Sequence, residues 1–103
     1  MTAHLFIMYP TPKDPNQFDR AYREQHLPFA GPRLTGATSV VSNRVAGPGG
    51  AAFYAISDVS FPSLEALQAC AASQSGQEAI AHAASISTGG PPVVLVVTGD
   101  LAG

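Results

Sequence analysis

A chain of 103 residues has the size of one domain with a single core. Only 12% of its residues are charged, the net charge is -2 and Lys and Arg number 5, so no basic patch can hold a phosphate backbone and nucleic acid is excluded as a partner. With 46% hydrophobic residues on so small a surface, part of the apolar exterior is expected to be covered by a second copy, as in a homodimer.

One cysteine, Cys70, excludes an internal disulfide and fits a reducing compartment. The opening MTAHLFIMYP lacks the basic start and long apolar centre of a secretion signal, and no apolar run reaches the length of a membrane span. The expectation is a cytoplasmic, membrane-free protein of one domain covering residues 1–103.

Residues 4–9 (HLFIMY) form a short apolar run closed by Pro10 and Pro12, which predicts a strand. Asp14 then caps a helix with Pro15 at its first position. Phe18, Tyr22 and His26 recur every four residues and share one face, while Asn16, Arg20, Arg23 and Glu24 form the wet face. Asp19 and Arg23 have the spacing of a helical ion pair. Pro28 should weaken regular helix at Leu27.

After Gly36, residues 38–45 (TSVVSNRV) are rich in β-branched residues and predict a second strand. GPGG at 47–50 is a loop, and residues 52–61 predict a third strand. By alternation Tyr54 and Asp58 share one face of that strand. Residues 63–72 (SLEALQACAA) predict a helix interrupted near SQSG, with Ser75 and Glu78 at capping-box spacing for a second piece. TGGPP then leads to a last strand, VVLVVT, apolar on both faces.

Strand, helix, strand, strand, helix, strand is the ferredoxin-like βαββαβ order of an α+β protein: a four-stranded antiparallel sheet with its helices on one face. The uncovered face calls for a partner sheet, and two such sheets packed together make a dimeric α/β barrel.

The candidate chemistry lies at His26 and Tyr22. An imidazole trades protons near neutral pH, and a phenol one turn away can donate to a carbonyl oxygen or relay a proton. The competing reading is a histidine that only satisfies its own helix end. Tyr9, Phe18, Phe29, Tyr54 and Asp58 are candidate ligand-binding residues. Taken singly, the three aromatics Tyr9, Phe18 and Phe29 read first as core or rim residues. If the Tyr54–Asp58 face turns toward the helices it lines a pocket; if it turns toward a partner sheet it forms a dimer contact. GPGGAA matches a dinucleotide pattern but joins two strands and opens no helix. His4, His26 and His82 have no metal-ligand spacing, and Cys70 has no ligand neighbour, so neither a metal nor a cofactor is expected. His82 reads as solvated and Cys70 as a small core residue.

LFIMYPTP, FDRAYREQHLP, FPSLEALQACAASQSGQEAI and TGGPPVVLVV together resemble the EthD family, proteins named for ethyl tert-butyl ether degradation. The most specific element is F-x-x-x-Y-x-x-x-H-x-P at Phe18, Tyr22, His26 and Pro28. The resemblance implies a ferredoxin-like fold, a dimeric α/β barrel and a cavity near Tyr22 and His26. It also implies kinship with cofactor-free monooxygenases, lactone isomerases and polyketide cyclases. Pro62 departs from the acidic residue usual before Ser63, which is expected to weaken the cap of the second helical region. The expected function is a cofactor-independent catabolic enzyme, of oxidoreductase or isomerase/cyclase type, acting on an apolar or aromatic compound with His26 as acid/base. A non-catalytic carrier or accessory protein of a degradation pathway is the alternative, and a purely structural dimer a third reading.

Overall fold

The computed structural model describes residues 2–47 and 52–99. Its sheet has the order β2-β3-β1-β4, formed by Ser39–Arg44, Phe53–Phe61, Ala3–Pro10 and Val93–Thr98, and every pairing is antiparallel. Alternation along β1 sorts its side chains: Ala3, Leu5, Ile7 and Tyr9 are buried beneath the helices. His4, Phe6 and Met8 lie on the opposite face and are half-buried. Val59 and Phe61 of β3 join the covered side, where Leu67, Cys70 and Ala83 close the core from above. Cys70 thus fills core space as expected.

The first helix begins as its sequence dictates. The Asp14 carboxylate accepts hydrogen bonds from the backbone N–H groups of Asn16 and Gln17, and Pro15 opens α1 (Pro15–Ala21). Regular helix was expected to persist to Leu27, but it widens earlier. Tyr22–His26 is a π-helical turn in which the Leu27 N–H reaches back to the Tyr22 carbonyl. Pro28 explains the change, since it lacks an N–H and its ring would collide with the carbonyl of Glu24 in a regular α-helix. Wider winding lets the chain pass through Pro28 into α2 (Leu27–Ala30) and a short 3₁₀ turn (Gly31–Arg33). Gly36 follows with φ +87, a left-handed turn that suits glycine.

Ser63 caps α3 (Leu64–Ala72) by accepting from the Ala66 N–H, so Pro62 leaves that cap intact. The break falls at Ser73, and Ser73 rather than Ser75 caps α4 (Gln74–Ile86) by accepting from the Gly76 N–H. The same hydroxyl donates to the Cys70 carbonyl, which ties the end of α3 to the start of α4. This corner leaves no room for a side chain at Gly76: an added Cβ would meet the Cys70 carbonyl oxygen at 1.9 Å.

No helix covers β4. Val94 and Val96 pair with Ile7 and Leu5 on the helix side of the sheet, yet they are 40% and 54% exposed. Leu95 on the other side is 45% exposed, so β4 is open on both faces. Of the GPGG loop only Gly47 is described; the rest lies outside the described residues. Among the described residues no helix is long and apolar enough to cross a membrane.

The Gly76 corner generates a prediction opposite to helix propensity. Gly76→Ala should destabilise the protein by about 2–3 kcal/mol, because the clash is with backbone that cannot move aside. Urea unfolding of the two proteins measures the difference.

Candidate functional site

A cleft of about 390 Å³ opens between the first helical segment and strands β2 and β3. Phe18 and Leu27 from the helical side and Tyr54 and Ala55 from β3 supply apolar walls. Three hydroxyls meet at its floor. Tyr22 Oη hydrogen-bonds both Ser42 Oγ and Ser57 Oγ, the latter at 2.7 Å, and the two serines lie 3.2 Å apart. Ser42 and Ser57 are direct partners in the β2–β3 ladder, so register alone sets them side by side beneath Tyr22.

Tyr54 reaches the cleft through a break in strand alternation. Tyr9 pairs with Ala55 but Pro10 pairs with Phe53, so Tyr54 is the extra residue of a β-bulge. Its ring packs edge-on against Phe18, 5.7 Å between centroids, and its hydroxyl donates to Asp19 at 2.9 Å. Arg44 closes the group by donating to Asp19 and to the Tyr54 hydroxyl. Asp19 therefore pairs across the cleft instead of with Arg23, the partner expected from helical spacing. Bonding to Tyr54 and to Asp19 raises the Arg44 pKa further, so the guanidinium stays charged.

Alternation is regular beyond the bulge, and Asp58 falls on the far face of the sheet. There it binds His4 Nδ1 at 2.8 Å, both side chains about one-third exposed. The expectation that Tyr54 and Asp58 share a face is thus corrected. Tyr54 lines the cleft and Asp58 does not, because a bulge separates them.

His26 also turns away from the cleft. It is 5% exposed, its ring lies 5.3 Å from that of Tyr22, and its Nδ1 meets His82 Nδ1 at 2.9 Å. His82, expected to be solvated, is half-buried between His26 and Phe29, with ring centroids 5.1 Å and 4.6 Å away. The Arg33 guanidinium also lies over the Phe29 ring, 3.7 Å from its centroid. Phe29 therefore belongs to this second cluster and not to the cleft wall. Tyr9 lies fully buried behind Phe18 and Tyr22. Burial chiefly, and the neighbouring Tyr22, push the Tyr9 pKa up, with Ser57 as the opposing influence.

Of the residues singled out from sequence, Phe18, Tyr22 and Tyr54 meet at the cleft. Ser42, Ser57, Arg23 and Arg44 line it too and were not foreseen. The available signal was a serine within each of two neighbouring predicted strands, where a hydroxyl turned toward the helices needs a partner. Among the described residues no group of three or more His, Cys, Asp or Glu could hold a metal ion.

A four-stranded antiparallel sheet carrying its helices on one face, with a cleft beneath the first of them, defines a ferredoxin-like α+β protein. The sequence profile of the EthD domain matches residues 11–84, and the chain belongs to the EthD family. No curated protein sequence matches it. An ethyl tert-butyl ether degradation (EthD) family protein from Bacillus halodurans C-125 superposes with a TM-score of 0.84 at 22% identity, covering 97% of this chain and 100% of that one. A dimeric ferredoxin-like protein of unknown function from Jannaschia sp. CCS1 gives 0.69 at 19% identity, over 96% and 100%. SnoaB, a cofactor-independent oxygenase from Streptomyces nogalater, gives 0.65 at 11% identity, over 95% and 92%. At these identities the likeness is one of fold.

Burial foremost, and the adjacent His82 second, lower the His26 pKa to about 4 from an ordinary 6.5. Geometry agrees, since two Nδ1 atoms in contact leave room for one proton between them. A histidine kept neutral in the fold favours the native state above its unfolded pKa. That advantage is lost as falling pH protonates the unfolded chain first. Stability should therefore decline between about pH 6.5 and pH 4, by roughly 3 kcal/mol at the lower end. His26→Gln should flatten that slope, as read from urea unfolding at a series of pH values.

Proposed function

We propose that this protein is a cofactor-independent enzyme acting on an apolar or aromatic small molecule that carries an enolisable carbonyl or phenolic oxygen. The observation that carries the reading is the meeting of Tyr22, Ser42 and Ser57 hydroxyls at the floor of an aromatic-walled cleft. With Ser42 and Ser57 donating to its oxygen, Tyr22 can turn its own proton to a substrate oxygen and stabilise negative charge that develops there, and the apolar walls keep the effect strong by limiting water. Tyr22 donates a hydrogen bond to this oxygen, and a water molecule entering the cleft mouth takes the α-proton to solvent. His26 was expected to share that chemistry, but its Nδ1 is committed to His82, and it acts by positioning the Tyr22 ring. The fold is shared with SnoaB, a cofactor-independent oxygenase, and such chemistry is compatible with a substrate activated in this way.

One observation favours a second reading, a carrier without turnover. Asp19, the carboxylate lining the cleft, is held by Arg44 and Tyr54 and is poorly placed to remove a substrate proton. The test uses 2-tetralone, an enolisable bicyclic ketone, with α-proton exchange into D₂O followed by NMR. The enzyme reading expects exchange faster than in buffer, falling about 100-fold in Tyr22→Phe. Binding without accelerated exchange would establish the carrier instead.

The open sheet face supports a homodimer, by analogy with the Jannaschia protein described as dimeric. Phe6, Ile56, Leu95 and Val97 share this face, and a second copy would cover it. Leu95→Lys places a charge at its centre and should convert a dimer into a monomer in sedimentation velocity. A wild-type protein that already sediments as a monomer would end the dimer reading.

A further inference from the structure

We infer that Arg23 is a specificity residue that selects ligands bearing a carboxylate or similar compact anion at the cleft mouth. The inference rests on the proposed small-molecule cleft and adds the charge class of its occupant.

Three charged side chains line the cleft: Asp19, Arg23 and Arg44. Asp19 and Arg44 neutralise one another, and both carboxylate oxygens of Asp19 also receive the Tyr54 hydroxyl. The helical spacing that would pair Asp19 with Arg23 is therefore unused. Arg23 makes no hydrogen bond or ion pair with the described residues. It stands on the π-helical turn one residue after Tyr22, so the cation and the phenol are fixed by the same piece of backbone. The lining thus carries one uncompensated positive charge beside an apolar wall and a hydroxyl floor. A flat ring laid against Tyr54 and Leu27 can set an oxygen on Tyr22 while an acidic substituent meets the guanidinium. Such a pairing is charge-assisted, and the planar guanidinium suits two-point contact with a carboxylate. The like charge of Asp19 does not oppose it, because Arg44 already offsets that charge.

The probes are 2-naphthoate and its uncharged counterpart 2-naphthamide, which differ little except in charge. Binding is followed by NMR chemical-shift titration at pH 7 in low salt. The wild type should bind the acid about tenfold more tightly than the amide, with the preference shrinking as salt is added. R23Q should bring the acid down to the affinity of the amide, while R23K should retain part of the preference. Equal affinities for acid and amide in the wild type, or a preference that survives R23Q, would overturn the role of Arg23 and leave the cleft reading standing. Failure of both probes and of 2-tetralone to bind would overturn the cleft reading itself, and this inference with it.

Discussion

A continuous run of aromatic ring contacts, stacked, tilted and edge-on, holds this small protein's site together. It passes from Phe29 through His82, His26, Tyr22 and Phe18 to Tyr54, with neighbouring centroids 4.6–6.0 Å apart. Arg33 lies over one end and Arg44 near the other. The run links α4, the whole first helical segment and β3, and each aromatic pair contributes about 0.5–1.5 kcal/mol beyond its area. It also ties function to stability. Tyr22 can aim its hydroxyl at two strand serines because the rings on either side of it cannot swing. A change at His82, well outside the cleft, would be felt there through His26.

Two local irregularities convert an ordinary helix-on-sheet layer into a site. The π-helical turn at Tyr22–His26 separates the headings of two side chains that would otherwise point alike, sending Tyr22 to the sheet and His26 to α4. The β-bulge at Tyr54 does the same on the strand, bringing to the helix side a ring that alternation assigns to the other. Both follow from proline. Pro28 forces the wide turn, and Pro10 sits at the bulge, where its missing N–H cannot continue the ladder.

This explains which parts were legible in the sequence. The strand and helix order and the Asp14 cap follow from spacing and capping chemistry and appear in the fold, whereas of the Phe18–Tyr22–His26 face only Phe18 and Tyr22 reach the cleft. Tyr54 and Asp58 were assigned to one face because a period of two carries no sign of a bulge. His82 was read as solvated because its partner His26 is 56 residues away, and only helix packing brings them together. Ser42 and Ser57 were legible as residues but not as a pair, since strand register depends on the loop between them. The ion pair failed differently. Asp19 had two cations to choose from, and the one across the cleft came with the Tyr54 hydroxyl as a second donor. Sequence spacing counts partners on one helix and cannot weigh them against an opposing strand.

The hydroxyl floor carries an unresolved demand that bears on what it does. Tyr9 Oη is buried behind the floor, and the hydroxyl that acts on it by hydrogen bonding is that of Ser57. Ser57, which opposes the rise in the Tyr9 pKa, already serves Tyr22 and Ser42. A serine has one proton to donate, and here two neighbouring phenols and another serine compete for it. A ligand oxygen that accepts from Tyr22 takes the phenol's one proton, so Ser42 and Ser57 must then donate to Tyr22 Oη. Occupation of the cleft therefore turns the protons of all three floor hydroxyls together. Binding and core stability then share one set of hydrogen bonds, so the apolar wall alone does not decide which molecules fit.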